Sequence, residues 1–171
     1  ASSDRAIEAA LRARDLAPDQ AETHIALALA ARSVGDVPRW RAEAQRAIEL
    51  DDRAAEAIAL LGDSYSAYVY ACNRDQNPEL AESYYRRAME LKPNLSTAVS
   101  NRAHNLRRMG RYAECVDLMN RTIRAFPDET PLIAERGACR LLAGDIEGAK
   151  EDILPLRNNP KIAPAGALVY L

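Results

Sequence analysis

The sequence predicts an all-α fold in which antiparallel helix pairs stack one after another along the chain. Ala, Leu, Glu and Arg dominate, while seven Gly and nine Pro punctuate the chain rather than fill it, which suits helices better than a sheet. Apolar residues recur at helix period in runs joined by short polar turns. The chain also repeats itself. Pro93 and Pro127 are 34 apart, as are Gly110 and Gly144, and Ala13-Arg14-Asp15-Leu16 aligns 34 before Ala47-Ile48-Glu49-Leu50. The same phrase returns 41 residues later as Ala88-Met89-Glu90-Leu91, so one repeat carries seven extra residues.

The repeat with the excess, Ala55 to Leu95, holds Ile58, Leu61, Gly62, Tyr65, Ala81, Tyr85, Ala88 and Pro93 in order. In these residues the chain resembles the tetratricopeptide repeat (TPR) family, and the resemblance extends from Asp4 to about Leu156. It implies a right-handed helical solenoid and a groove lined by the first helix of each pair. The expected organisation is a single domain over 1–171: a partial repeat at 4–20, full repeats at 21–54, 55–95 and 96–129, a weaker one at 130–157, and a tail at 158–171.

Residues 4–16 read as the second helix of a broken first repeat, with Ala6, Ile7, Ala10, Leu11 and Ala13 on one face and Pro18 ending it. The next helix carries Ile25, Leu27, Ala28 and Leu29 and stops at Gly35, a residue free to take the positive φ of a helix C-cap, and Asp36 can cap its successor. Trp40 stands where the family has a small residue, while Ala31 and Ala44 replace aromatics. A volume exchange would place the indole in the core, against the alternative of an exposed ligand anchor. His24, at an aromatic-type position, is expected in the core too.

Seven residues are about two helical turns, so the first helix of 55–95 is expected to run through Tyr68 and Tyr70 to Ala71 or Cys72 without rotating its apolar face. Asn73 to Gln76 would then turn, Asn77 would cap, and Pro78 would open the partner helix. Tyr68 and Tyr70 form a candidate second contact edge, against packing between helices as the plainer reading of this Tyr-rich region. In the following repeats, Val99, Ala103, Leu106, Cys115, Met119 and Ile123 continue the core, and Gly110 marks the turn. Arg102 and Arg136 replace large apolar residues at one register, which suggests a ladder paired with carboxylates such as Glu135. Thr130 and Pro131 begin the last repeat, and Pro155 cuts its second helix short. The apolar tail from Ile162 to Leu171 could open an incomplete helix at Pro164, and with no polar-faced cap the array is expected either to continue in a longer natural protein or to have its tail fold back or dock on a neighbour.

Several functions are disfavoured. The net charge is −2 and the charges alternate, so no basic stripe addresses nucleic acid. No run approaches the ~20 apolar residues of a membrane span, and no signal peptide opens the chain, whose start without Met suggests a processed piece. Cys72, Cys115 and Cys139 are odd in number and lack C-x-x-C spacing, which argues against a disulfide framework or a zinc site and weakly for a reducing, cytoplasmic setting. Phosphate-binding, hydrolase and metalloprotease motifs are absent. Of the two histidines, His24 is read as core, and His104 has no Cys, Asp or Glu at a metal-like helical spacing from it. No catalytic residue, metal or cofactor is therefore expected.

The function implied by the resemblance is non-catalytic binding of a protein or peptide in the groove. The candidate lining is Arg32, Asp63, Asn101, His104, Arg107 and Arg108. Arg107 and Arg108 with Arg32 could receive an acidic or C-terminal carboxylate peptide; alternatively the pair is a solvated helix end suited to the helix dipole. Some TPR proteins grip heat-shock chaperone C-termini with a Lys, Asn, Asn, Lys, Arg clamp. Only Asn101 matches here, with Ala59, Asp63, Pro131 and Glu135 at the other places, so that use is disfavoured. The alternative function is a spacer or self-association segment, in contact with a second copy or with flanking domains of a larger regulatory protein.

Overall fold

A computed structural model of the chain describes residues 2–66, 76–127 and 130–156, except for the side chains of residues 2–7, 13 and 130. They fall into two compact units, Ala1–Arg102 and Ala103–Leu171. The described residues are helical with short connections, as the sequence predicts.

The first unit holds α1 (Ser2–Leu16), α2 (Ala21–Ser33), α3 (Val37–Leu50), α4 (Ala55–Tyr65), α5 (Pro78–Leu91) and the start of α6 (Ser96–Arg108). Each of α1 to α4 packs on its successor, and α2 also touches α4. That second contact is what stacked pairs require, because the first helices of neighbouring pairs lie side by side. Local chemistry sets the ends. Gly35 adopts φ 76° after α2, a left-handed conformation that costs a residue with a Cβ more. The Asp36 carboxylate accepts from Arg39 N at 3.2 Å, and the Asn77 side chain accepts from Leu80 N at 3.0 Å, with Pro78 opening α5.

Trp40 is fully buried in one cluster with Ala31, Ala44, Ile58 and Leu61, so the indole occupies space beside the two alanines that replace rings. Gly62 explains the close approach of α4 to α5: a Cβ there would stand 3.1 Å from Tyr84 Cβ and 3.1 Å from Tyr85 Cε1. His24 is buried, its Nδ1 2.8 Å from Glu43 Oε2 and its Nε2 2.9 Å from the Pro18 carbonyl. It pins the α1–α2 connection to α3.

The expected lengthening of α4 does not occur. The helix ends at Tyr65, and Ser66 is extended with φ −72° and ψ 139°. Two interactions from distant residues account for the stop. Arg41 of α3 donates to the Ser64 carbonyl at 2.9 Å and to Ser64 Oγ at 3.2 Å, a cation at a helix C-terminus where carbonyls lack partners. Its guanidinium also lies 4.1 Å from the centroid of the Tyr65 ring, which in turn stacks on Tyr84 at 6.0 Å. The Tyr65 carbonyl accepts from Asn77 N at 2.9 Å, so the chain returns to α5 beside the point where it left α4. Residues 67–75, including Tyr68, Tyr70 and Cys72, lie outside the described residues.

The second unit holds the end of α6, then α7 (Tyr112–Ala125), α8 (Thr130–Leu142), α9 (Ile146–Ile153) and a 3-10 turn at Leu154–Leu156. Gly110 and Gly144 take φ 72° and 86° at equivalent turns, and Asp145 caps α9 by accepting from Gly148 N at 3.0 Å. Ala103, Leu106, Cys115, Met119, Cys139 and Ala149 have no exposed surface. Gly137 plays the part that Gly62 plays in the first unit: a Cβ there would meet Ile153 Cγ1 at 2.5 Å and Asp152 Cβ at 3.1 Å. α9 ends just before Pro155.

The cysteines correct the sequence reading. Cys115 of α7 and Cys139 of α8 are joined as a disulfide, their Cα atoms 5.7 Å apart. Spacing along the chain could not show this, since the two residues meet only because α7 and α8 pack together. The bond removes the ground for placing the chain in a reducing, cytoplasmic setting.

Candidate functional site

In the first unit the structure brings together three of the expected groove residues, Arg32, Asp63 and Asn101, each from a different first helix. Asp63 of α4 is the centre. Its carboxylate is only 3% exposed, and burying a charge requires partners. It has three. The Tyr85 hydroxyl of α5 donates to Oδ1 at 2.8 Å, Asn101 Nδ2 of α6 donates to the same oxygen at 2.7 Å, and Arg32 Nη1 of α2 donates to Oδ2 at 2.9 Å. Burial pushes the Asp63 carboxyl above its ordinary range, with Tyr85, Arg32 and Asn101 pulling the other way. Burial and the Asp63 charge push the Tyr85 phenol upward, and Ser66 adds a hydrogen bond to its oxygen.

The Asp63 site was expected to face a ligand; its carboxylate is instead a buried junction that orients Arg32 and Asn101. Four segments meet on it, and the Arg32 charge is balanced from beneath. Arg32 keeps 35% of its side chain exposed, and one turn earlier on α2 Leu29 is 42% exposed. The surface beside this junction thus presents an apolar side chain next to a cation paired with Asp63.

In the second unit His104, Arg107 and Glu135 form a closed set. Arg107 Nη1 of α6 lies 3.1 Å from Glu135 Oε2 of α8, His104 Nε2 lies 3.7 Å from Glu135 Oε1, and the Arg107 guanidinium contacts His104 Nδ1. Burial, with the Arg107 charge added, holds His104 down to about 4, so the ring is neutral at physiological pH. Burial raises the Glu135 carboxyl, and Arg107 opposes it. Of the two arginines read as a pair, only Arg108 is exposed. Arg107 is mostly covered and tied to Glu135, a partner that lies 28 positions along the chain.

The Arg102 and Arg136 pairing also differs in detail from expectation. Arg102 makes a two-point contact with Glu82 of α5, Nη2–Oε1 at 2.8 Å and Nε–Oε2 at 3.2 Å. Arg136 pairs with Asp152 of α9, Nε–Oδ2 at 2.8 Å, and donates to Asn120 Oδ1 at 3.3 Å. Both carboxylates are buried, and the forked guanidinium suits them. Glu135 is not a partner in this pairing; it serves Arg107. Equal register therefore puts the two arginines at like depths but points them to different helices.

Among the described residues no group of three or more His, Cys, Asp or Glu could hold a metal ion. None of the described helices is long and apolar enough to cross a membrane. The remaining features are those of a helical-repeat scaffold: small residues at Gly62, Ala103 and Gly137 where paired helices touch, left-handed glycines at the turns, and polar junctions between successive first helices.

Comparison with solved structures gives the fold its name. The chain has the TPR fold. It superposes on TTC0263, a thermophilic TPR protein of Thermus thermophilus, with a TM-score of 0.76 at 18% identity, covering 98% of this chain and 88% of that one. PilW, described as a widely conserved type IV pilus biogenesis factor, gives 0.77 at 16% identity over 98% and 74% of the two chains. MamA gives 0.69 at 19% identity over 89% and 85%. No protein-family model matches the sequence. No curated protein matches it either.

Proposed function

We propose that this chain is a non-catalytic protein-interaction module that binds a peptide or protein segment along the first helices of its repeats. The observation that carries the reading is the junction at Asp63, where side chains from α2, α4 and α6 converge at one place and fix the donors Arg32 and Asn101. A rigid set of groups from successive helices is what recognition needs and what an isolated helix cannot supply. The TPR fold supports the same class of function, although fold alone does not name a partner.

The electrostatics favour one kind of partner. Arg32 is balanced by Asp63, Arg107 by Glu135, and His104 is neutral. Apolar contact at Leu29 and Ile25 with polar contact at Arg32 and Asn101 fits an amphipathic segment better than an acidic or C-terminal carboxylate tail. The test is capture of partners by crosslinking from the native source, followed by binding measurements with Leu29→Glu, Arg32→Ala and the remote variant Lys150→Ala. Loss with Leu29→Glu, with little change for Lys150→Ala, is the expected result. Equal binding by all three variants would reject the surface.

A second reading, self-association or contact with flanking domains, draws on exposed Leu142, Ile146 and Leu154 in the second unit. Light scattering over a concentration series distinguishes it. A rise in mass with concentration supports self-association, and a constant monomer mass supports the receptor.

A further inference from the structure

The disulfide between α7 and α8 lies in the second unit, apart from the residues named for the proposed binding surface. Both Cys115 and Cys139 have no exposed surface. Their helices pack directly on each other, and the Cα separation of 5.7 Å falls in the ordinary range for a disulfide. Thiol–disulfide exchange needs a thiolate to reach one of the sulfurs. With the helices packed, no thiolate can reach either.

We propose that the Cys115–Cys139 bond is a folding-gated lock. It forms as α7 and α8 come together but before they have packed closely enough to exclude the donor, and the packed helices then shield it from reduction until the second unit opens. The chemistry requires a donor disulfide, of low molecular weight or on a protein. One cysteine thiolate attacks a donor sulfur, forming a mixed disulfide and expelling the first donor thiolate. The other cysteine thiolate then attacks the cysteine sulfur of the mixed disulfide and expels the second. Two protein thiols and one donor disulfide thus become one protein disulfide and two donor thiols, the two protons passing to the departing thiolates. The protein is oxidised and the donor reduced.

This shielding has a kinetic signature. An accessible disulfide is reduced at a rate proportional to the thiol concentration. A bond gated by opening approaches a ceiling, the opening rate, as thiol rises. The third cysteine, Cys72, is removed from the measurement by using the whole chain as a Cys72→Ala variant. That protein is refolded with oxidised glutathione and then exposed to 1–50 mM dithiothreitol (about this range), with and without 6 M guanidinium (roughly). Samples are alkylated and weighed by mass spectrometry.

The expected result is two blocked cysteines after refolding and complete reduction in denaturant. Without denaturant, reduction should be at least about tenfold slower at equal thiol and should level off as thiol rises. Two reactive thiols after oxidative refolding would overturn the proposal, because the bond would not form. Reduction of the folded protein that stays proportional to thiol, at the denatured rate, would overturn the gating. Cys115→Ala/Cys139→Ala serves as the control. If it folds, its mass after alkylation must not change with dithiothreitol. If it fails to fold, the measurement on the intact pair still decides the question.

Discussion

Removing the Tyr85 hydroxyl tests the junction at Asp63 with the least disturbance of shape. Tyr85 has no exposed surface and its hydroxyl lies 2.8 Å from Asp63 Oδ1. In Tyr85→Phe the carboxylate keeps Arg32 and Asn101 but loses one of three donors. A hydrogen bond to a charged group contributes about 1.5–3 kcal/mol, the ring itself stays in place, and the bond with Ser66 is lost as well, so the loss should be at least of that size. Asp63→Ala goes further: it leaves the Tyr85 hydroxyl and the Asn101 amide facing no carboxylate, while Arg32 can turn to water. Breaking a buried pair typically costs ~3–5 kcal/mol. Because the two substitutions share one bond, the double variant should be less damaging than their sum by about 1.5–3 kcal/mol. The assay is urea unfolding followed by fluorescence of Trp40, the single tryptophan, which sits in the core of the same unit. Additive losses within about 0.5 kcal/mol would refute the claim that Tyr85 and Asp63 act through one contact.

Three further outcomes are expected. Trp40→Ala should destabilise the first unit by ~3–5 kcal/mol, read as a drop in the urea midpoint by circular dichroism; a loss under about 1 kcal/mol would place the indole outside the core. His104, held at about 4 in the folded chain against ~6.5 when unfolded, has a depressed pKa. Its contribution is therefore full above pH ~6.5 and is lost as pH falls toward about 4, up to roughly 3 kcal/mol. Asp63 and Glu135 are shifted upward and slope the other way, so the measurement is the difference in unfolding free energy between wild type and His104→Asn across pH 4–7 (about this span). A flat difference would count against the buried, neutral ring. The disulfide spans 24 positions, for which chain entropy gives a stabilisation of about 3.5 kcal/mol. Calorimetry of Cys72→Ala against the triple Cys→Ala variant should show a lower transition for the latter, and identical curves would deny the bond a role in stability.

Much of the fold was legible because repetition reports environment. Residues at equal spacing marked out the helix pairs, Asp36 and Asn77 advertised their caps, and the exchange of Ala31, Ala44 and Trp40 could be read as volume from residue identities alone. The junction was half legible: Arg32, Asp63 and Asn101 could be assigned to one face, but not the hydroxyl of Tyr85 that turns Asp63 inward. What escaped the sequence was set by partners far along the chain. Seven residues fit two turns and preserve the apolar face, so periodicity favoured a longer α4. Arg41, 23 positions before Ser64, decided otherwise. Arg107 looked like a solvent-facing helix end until Glu135 arrived from α8, and the odd count of cysteines concealed a pair. Register fixes depth and face, whereas the choice among several carboxylates at that depth depends on how neighbouring helices are rotated.

The hydrogen bond from Asn77 N to the Tyr65 carbonyl closes the extra stretch at its neck. The ends of α4 and α5 therefore meet at this bond, whatever the length of the branch of chain between them. Doubling the length of such a branch adds only about 0.6 kcal/mol of closure entropy. Lengthening the chain between Tyr65 and Asn77 is therefore expected to cost the helices on either side little.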